Sequence, residues 1–231
     1  MSGGGVYFDA EYFAWQAERA LHSARAVVPR LVELVAPRSV VDVGSGPGAW
    51  LQAFVEQGVK DVLAIDSARI DADQLRVAPE QFLSADLADL PRIDRRFDLA
   101  LSLEAAHYAP EQAARGIVDA LTAYAPVVYF GAAIPNQGGG PGLNRQWPRY
   151  WSDLFAERGY RCADVLRARL WEHPDVDWWY AQNGLLFMAD DATGPADAGV
   201  PLPLVHPELF TEVATAPPVE TARRRRLRLR R

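Results

Sequence analysis

The sequence contains a single cysteine, Cys162, so it offers neither a disulfide framework nor a thiolate zinc site. No apolar run reaches the ~18 to 20 residues that span a bilayer, and the glycine-rich start MSGGG lacks the basic and apolar parts of a signal peptide. The four histidines, at positions 22, 107, 173 and 206, show no metal-ligand spacing. We therefore expect a soluble protein without a metal, located in a reducing cytoplasm.

Basic residues are scarce except at the end of the chain. The net charge is −6, and seven of the 24 basic residues lie in the final nine, RRRRLRLRR. Without those seven, 17 basic residues stand against 30 acidic ones, a net charge of −13. An acidic body argues against a nucleic-acid surface on the folded part. The tail could bind RNA or an anionic membrane, or it could be a solvated end that neutralises the body.

A chain of 231 residues, of which 49% are hydrophobic, can bury one sizeable core. Short β-rich runs alternate with segments of helical spacing, an order typical of a parallel α/β sheet. The predicted strands are 39–44, 61–66, 80–86, 97–103, 126–134, 161–170 and 184–189, and the predicted helices are 49–58, 110–124 and 147–160. We expect three parts: a helical lid (1–37), a central domain (38–190) and a mobile extension (191–231) that ends in the arginine-rich tail.

The run VVDVGSGPGAW, residues 40–50, places three glycines directly after the first predicted strand. In open α/β sheets this turn is where a ligand approaches the backbone. The dinucleotide fingerprint is G-x-G-x-x-G, whereas this turn reads G-S-G-P-G, and Pro47 removes an N–H that a pyrophosphate would use. The spacing therefore disfavours a phosphate site. The alternative is that the glycines serve turn geometry alone.

Two acidic residues end the next two predicted strands. Asp66 follows Gly48 by 18 residues, where a carboxylate can accept hydrogen bonds from both hydroxyls of a ribose. Its alternative role is to cap the following helix. Asp86 is placed to accept from the amino group of a purine. With the glycines, these residues predict a nucleoside site without phosphates.

This set resembles the class I S-adenosylmethionine-dependent methyltransferases over residues 38–190. VVDVGSGPG resembles the first motif of that family, SADLADLP the motif beside the adenine, and FDLALSLEAAHY the fourth motif beside the methyl group. The resemblance implies a Rossmann-like, doubly wound fold. It has a seven-stranded, mostly parallel sheet with helices on both faces, and the last strand is antiparallel.

The resemblance also implies S-adenosylmethionine as the cofactor and places Glu104 near its methionine amino group, although Glu104 could instead cap a helix. The predicted cofactor-binding residues are Asp42, Gly44, Ser45, Gly46, Gly48, Trp50, Asp66, Ser67, Asp86, Leu87, Leu103 and Glu104.

From the fourth strand onward, the chain is similar to bacterial methyltransferases of sugar and secondary-metabolite tailoring pathways. Their fourth motif tends to read E-V-A-E-H, whereas this chain has the shorter run Glu104 to His107. Their loop often carries a histidine before N-E-Q-W-P, where this chain has Leu143, Asn144 and Arg145. Because an acid and a histidine of that pattern are missing, neither the substrate nor the proton acceptor of those enzymes can be assigned to this chain by resemblance.

His107 is the first candidate for a general base, because it follows the fourth strand and its ordinary pKa suits proton removal near neutral pH. Glu104 is the second catalytic candidate, and a structural role for His107 is the alternative. Acceptor recognition is predicted for segments that break the alternating pattern, where the aromatic residues could equally be core. These candidates are Tyr12, His107, Tyr108, Asn136, Gln137, Arg145, Trp147, Trp151, Tyr180 and Asn183.

The prediction is a methyltransferase acting on an oxygen or nitrogen atom of a small molecule, with a homodimer as a possible assembly. Two other classes stay open. An enzyme of the same fold could use the cofactor for cyclisation or another group transfer, and a non-catalytic relative could serve as a binding module. A nicotinamide-dependent dehydrogenase is disfavoured by the glycine spacing.

Overall fold

A computed structural model describes residues 10–67, 70–138, 142–195 and 199–215, with side chains from residue 16 onward. Seven strands form one sheet. They are β1 (Ser39–Val43), β2 (Asp61–Asp66), β3 (Phe82–Ser84), β4 (Leu99–Leu103), β5 (Val127–Gly131), β6 (Tyr160–Ala163) and β7 (Leu185–Ala189). The strand order is β3-β2-β1-β4-β5-β7-β6. Only β7 runs antiparallel to its neighbours, so the predicted sheet is confirmed.

Seven helices accompany the sheet in the described residues. They are α1 (Ala10–Val35), α2 (Ala49–Glu56), α3 (Ala114–Tyr124), α4 (Pro148–Ala156), α5 (Arg167–Leu170), α6 (Trp178–Asn183) and α7 (Pro207–Thr215). Among these described helices, none is both long and apolar enough to cross a membrane.

The central strands β1, β4, β5 and β7 are buried on both faces because a helical layer covers each side of the sheet. On β5, Val127 and Tyr129 join the cluster with α1, α2 and α6, whereas Val128 and Phe130 join the cluster with α3 and α4. This alternation follows from the two-residue period of a strand. It explains why the strands read as continuous apolar runs rather than as alternating ones.

The strand order reverses beside β1. From β1 the chain proceeds to β2 and β3 on one side, and β4 then pairs with the other side of β1. The crevice beyond the carboxyl ends of the strands at such a switch point is the ligand site of open α/β sheets. The glycine loop after β1 lies at that point.

The single strand predicted over 161–170 is wrong in its second half. The strand ends at Ala163, and Arg167–Leu170 forms a helical turn. Arg167 is buried, with its guanidinium bonded to the Asp164 carboxylate and to the Leu202 carbonyl oxygen. The apolar pattern of residues 161–170 does not indicate this turn, because the turn is stabilised by the bond from Arg167 to Leu202, 35 residues further along the chain.

Part of the extension predicted to be mobile packs on the body. Residues 199–209 run along α5 and α6 into α7, and Leu209 is buried against Ile134 and Trp178. The backbone N–H of His206 donates to Gln182 Oε1 at 2.7 Å. The arginine-rich tail lies outside the described residues.

Candidate functional site

The three glycines of the loop between β1 and α2 all have left-handed backbone conformations, with φ of 77°, 55° and 94° at Gly44, Gly46 and Gly48. A Cβ on Gly44 would lie 2.2 Å from Ala105 Cβ, so this glycine permits close packing on the segment after β4. A Cβ on Gly46 would meet no atom of the described residues within 4 Å. The loop is thus packed at Gly44 and open at Gly46.

Asp66, at the end of β2, holds the glycine loop. Its Oδ2 accepts the Gly46 N–H at 2.7 Å, and its Oδ1 accepts the Ser67 N–H at 2.6 Å. Burial raises the pKa of Asp66, and these two backbone hydrogen bonds oppose that rise. Each carboxylate oxygen can accept about two hydrogen bonds, so each keeps capacity for a ligand hydroxyl. The predicted ribose acid therefore lies directly beside the open glycine.

Asp42 lies behind the loop on β1 and is 2% exposed. Burial, and then the charge of Asp66, raises the pKa of Asp42 to about 7. Its neighbour on the loop, Ser45, uses its hydroxyl to donate to the Gly46 carbonyl oxygen at 2.9 Å. One acidic and one hydroxyl side chain therefore lie next to the glycine loop.

The predicted adenine side follows β3. Asp86 is exposed, and its Oδ1 accepts the Ala88 N–H at 2.8 Å, which forms a local turn. Leu87 lies on the inner side of that turn, with its Cδ2 3.6 Å from the position of a Cβ on Gly44. The segment thus brings one apolar and one acidic side chain to the same edge as Asp66.

A cavity of about 310 Å³ adjoins the glycine loop. It lies between α1 and the segment 70–76, with Ala17 and Pro47 on opposite walls. Arg76 closes one side: its guanidinium pairs with Glu18 on α1, and its backbone N–H donates to the Pro47 carbonyl oxygen. A larger groove, about 500 Å³, lies at the amino ends of the strands, and no predicted site residue lines it.

Glu104 follows β4 in a left-handed conformation, with φ of 54°. Non-glycine residues adopt this region at a cost, and they do so most often at functional sites. Asn183 Nδ2 donates to Glu104 Oε1 at 2.7 Å, and Gln137 Nε2 donates to Oε2 at 3.0 Å. Burial raises the pKa of Glu104 to about 7, against the lowering effect of these two amides. Glu104 therefore changes charge near neutral pH.

The geometry of His107 argues against the prediction that it is the general base. The ring is buried, and Nδ1 accepts the Ala133 N–H at 3.2 Å. Burial, and then the charge of Arg145, lowers the pKa of His107 to about 3. A ring that stays neutral, with one nitrogen already accepting a hydrogen bond, is a poor proton acceptor near pH 7.

His107 instead organises the loop that was predicted to bind the acceptor. Its carbonyl oxygen accepts the N–H groups of Leu143 and Asn144 at 2.8 and 3.0 Å. Its ring lies 4.2 Å from that of Tyr108. The histidine therefore fixes the two residues directly before Arg145.

The other predicted acceptor residues separate into two groups. Tyr180 is buried beside Trp50, with ring centroids 5.1 Å apart, and the Tyr180 hydroxyl lies within electrostatic range of Glu104. Trp151 packs in the core against Phe130, with centroids 4.9 Å apart, as its alternative role predicted.

Asn136 and Trp147 are exposed. Asn136, with φ of 68°, occupies a turn that is closed by the Gln137 N–H donating to the Ile134 carbonyl oxygen. Trp147 precedes the first residue of α4. The side chain of Tyr12 lies outside the described residues. Leu103 is buried at the end of β4 and contacts the position of a Cβ on Gly131.

Two residues of this region were missed from the sequence. Gln182 is 1% exposed and donates to Asn183 Oδ1 at 2.8 Å. The hydroxyl of Tyr129 on β5 is buried and has no hydrogen-bond partner among the residues that the structure describes. The adjacent amides in WYAQNG, directly before an apolar strand, were the available indication for Gln182. Nothing in the local pattern distinguishes Tyr129 from a core residue.

Comparison with known proteins agrees with this geometry. The family model described as a methyltransferase domain matches residues 40–125. The malonyl-[acyl-carrier protein] O-methyltransferase of Pseudescherichia vulneris is 30% identical over 155 residues, which cover 64% of this chain and 59% of that protein. The chain thus spans about three fifths of the length of this curated relative.

Two solved structures share the fold. One is CalS10 with bound S-adenosylmethionine, an amino pentose methyltransferase from Micromonospora echinaspora involved in calicheamicin biosynthesis. Its TM-score is 0.58 at 16% identity, covering 81% of this chain and 99% of that one. The other is DesVI of Streptomyces venezuelae, with a TM-score of 0.56 at 14% identity, covering 82% and 97%.

The sheet order, the glycine loop and these matches define the class I S-adenosylmethionine-dependent methyltransferase fold. Within that fold, residues 40–125 carry the match to a methyltransferase domain.

Proposed function

We propose that this chain binds S-adenosylmethionine and transfers its methyl group to an oxygen or nitrogen atom of a small molecule. The observation that carries the proposal is the Asp66 carboxylate, which holds the Gly46 amide beside open space at the switch point of the sheet. A ribose needs a paired acceptor of this kind, and a cofactor without phosphates needs no further N–H groups from the loop.

The residues present fit this cofactor at each end. Asp66 has acceptor capacity for the ribose hydroxyls, and Leu87 offers an apolar contact beside the loop. On the other side, the Glu104 carboxylate is complementary to a positively charged group. When bound, S-adenosylmethionine supplies an electrophilic methyl group on a cationic sulfur.

The protein must then align the acceptor atom with the sulfur–methyl bond, exclude water and accept one proton. We assign the last task to Glu104 rather than to His107. Its pKa of about 7 allows it to be ionised before the reaction and to hold a proton afterwards. His107 keeps a role in positioning the segment that precedes Arg145.

We also propose assignments for the acceptor, the partners and the location. The acceptor is a small molecule recognised by Tyr108, Gln137, Arg145, Tyr180 and Asn183 around Glu104, with Asn136, Trp147 and Tyr12 at the margin. The folded body, with its acidic charge, does not bind nucleic acid. A homodimer and a cytoplasmic location complete the proposal, the latter because the only cysteine is a buried thiol.

Isothermal titration calorimetry with S-adenosylmethionine, S-adenosylhomocysteine and NAD tests the cofactor. We expect the two sulfur nucleosides to bind and NAD not to bind, and failure of both sulfur nucleosides would overturn the proposal. Mass spectrometry after incubation with candidate acceptors then tests the reaction. A gain of ~14 Da per acceptor indicates methyl transfer, whereas cofactor consumption without a methylated product indicates a different reaction of the same fold.

A further inference from the structure

Three amide side chains, Gln137, Gln182 and Asn183, form a connected network around Glu104, called here the amide network. Asn183 and Gln137 each donate to one oxygen of the carboxylate. An amide can present its oxygen or its nitrogen to a neighbour, and only a neighbour with a single role decides between the two. In this network, the neighbours with a single role are two backbone N–H groups, which can only donate, and the ionised Glu104 carboxylate, which can only accept.

Two backbone N–H groups fix the network from outside. Ile134 donates to Gln137 Oε1 at 3.2 Å, and His206 donates to Gln182 Oε1 at 2.7 Å. Each bond fixes the amide oxygen toward the backbone and therefore turns the amide nitrogen away from it.

The orientation of the Gln182 amide in turn determines that of Asn183. Gln182 Nε2 faces Asn183 Oδ1 at 2.8 Å and Gln137 Oε1 at 3.3 Å. With its oxygen engaged in this way, Asn183 turns its nitrogen toward Glu104 at 2.7 Å. Two donors of the amide network, Asn183 Nδ2 and Gln137 Nε2, therefore meet at the one carboxylate. Asn183 Nδ2 also donates to Gln137 Oε1 at 3.0 Å, which links these two amides to each other.

The His206 amide is held by residues 199–209, called here the C-terminal strap. The Leu202 carbonyl oxygen accepts from the Arg167 guanidinium at 3.0 Å, and His206 Nε2 lies 2.8 Å from the Trp171 carbonyl oxygen. Leu209, at the end of the strap, is 2% exposed. The strap is thus anchored on both sides of the N–H that enters the amide network.

We propose that the C-terminal strap is a positioning element of this site, which uses the His206 backbone amide to turn the amide network toward the Glu104 carboxylate. The strap lies well beyond residues 40–125, which match the methyltransferase domain. The proposal rests on the proposed function for the catalytic meaning of Glu104. The orientation itself can be measured without any acceptor.

The measurable consequence is the charge state of Glu104. Donors aimed at a carboxylate favour its ionised form, so loss of the orientation should raise the pKa of Glu104 further. Among the described residues, the titratable groups that interact with Glu104 are Tyr129 on β5 and Tyr180 on α6, and burial raises the pKa of both hydroxyls. Both therefore stay neutral over the range in which Glu104 titrates.

A pair of substitutions at one position isolates the N–H group in the full chain. His206→Pro removes both the imidazole and the backbone donor, whereas His206→Ala removes the imidazole alone. Glutamate labelled with ¹³C at the carboxyl carbon reports each titration by NMR, and the resonance lost in Glu104→Gln identifies Glu104. We expect His206→Pro to raise the Glu104 midpoint by about one pH unit, and His206→Ala to leave it near the wild-type value.

Gln182→Met provides a second route that leaves the strap intact, with Gln146→Met as the matched control. Gln146 donates to Asn144 Oδ1 at 3.0 Å, outside the amide network. We expect the midpoint to rise in Gln182→Met only. Equal midpoints for the two substitutions at position 206, or an unshifted Gln182→Met, would overturn the proposal. If thermal melting shows that His206→Pro is unfolded, the Gln182 and Gln146 pair decides.

This outcome is separable from the cofactor test. A shifted Glu104 with no binding of S-adenosylhomocysteine would retain the positioning role and refute the proposed function. Binding of S-adenosylhomocysteine without a shift of the Glu104 midpoint would retain the cofactor assignment and refute the positioning role.

Discussion

Replacing Gly46 by alanine should separate the binding role of the glycine loop from its structural role. Gly46 has φ of 55°, and an added Cβ meets no atom within 4 Å. The substitution should therefore cost only the strain of the left-handed conformation, about 1 to 2 kcal/mol. Gly58 is the matched control, because it has φ of 93° and equally open surroundings but lies at the opposite end of α2.

Urea unfolding followed by circular dichroism should show a similar loss of stability in Gly46→Ala and Gly58→Ala. The two variants should differ in their affinity for S-adenosylhomocysteine, measured by calorimetry. We expect the affinity for S-adenosylhomocysteine to fall by at least about tenfold in Gly46→Ala, a cost of ~1.4 kcal/mol, because the new methyl group enters the space beside the Asp66-bound amide. Gly58→Ala should bind like the wild type. Equal affinities in the two variants would refute the placement of the nucleoside over Gly46.

Three further predictions concern the acidic groups. Asp66→Ala should lower S-adenosylhomocysteine affinity by ~1.5 to 3 kcal/mol per charge-assisted bond lost, and unchanged calorimetry would contradict the ribose assignment. The pKa of Asp42 is raised from 3.8 to about 7, so its contribution to stability is present below pH ~4 and is lost as the pH rises through 7. Glu104 and Asp66 also have raised pKa values, so the Asp42 contribution is measured as a difference between two proteins. Between pH ~4 and 7, the free energy of urea unfolding of the wild type should fall by about 4 kcal/mol more than that of Asp42→Asn, and equal changes in the two proteins would contradict the burial of an acidic Asp42. With an identified acceptor, Glu104→Gln should lower kcat by ~10²-fold or more, and His107→Gln by less than about tenfold. The opposite order in steady-state kinetics would return the base to His107.

The sheet was predictable because its strands are short apolar runs that end at glycine, proline or acidic residues. The run DVLAID over 61–66 matches β2 at both ends. The glycine loop and Asp66 were predictable for the same reason, since their spacing is local and their role is set by the end of a strand. Local sequence patterns were therefore sufficient to predict the fold and the part of the site formed by the glycine loop and Asp66.

The acceptor side was less predictable because long-range contacts determine it. His107 was chosen as a base for its position after β4, but its ring bonds to an amide 26 residues away. Gln182 takes its orientation from the His206 N–H, which lies 24 residues beyond it in a segment expected to be mobile. No pattern within one element indicates such contacts.

The long helix α1 connects the two sides of the site. In its first half, Glu18 pairs with Arg76 beside the cavity that adjoins the glycine loop, and the next residue, Arg19, pairs with Asp177 directly before α6. One turn further along, the Ser23 hydroxyl accepts the Asp177 N–H at 3.0 Å. The same stretch of one helix therefore holds both the segment beside the glycine loop and the segment before α6. A substitution that shifts α1 at either contact should loosen the other as well, which makes the two sides of the site mechanically coupled.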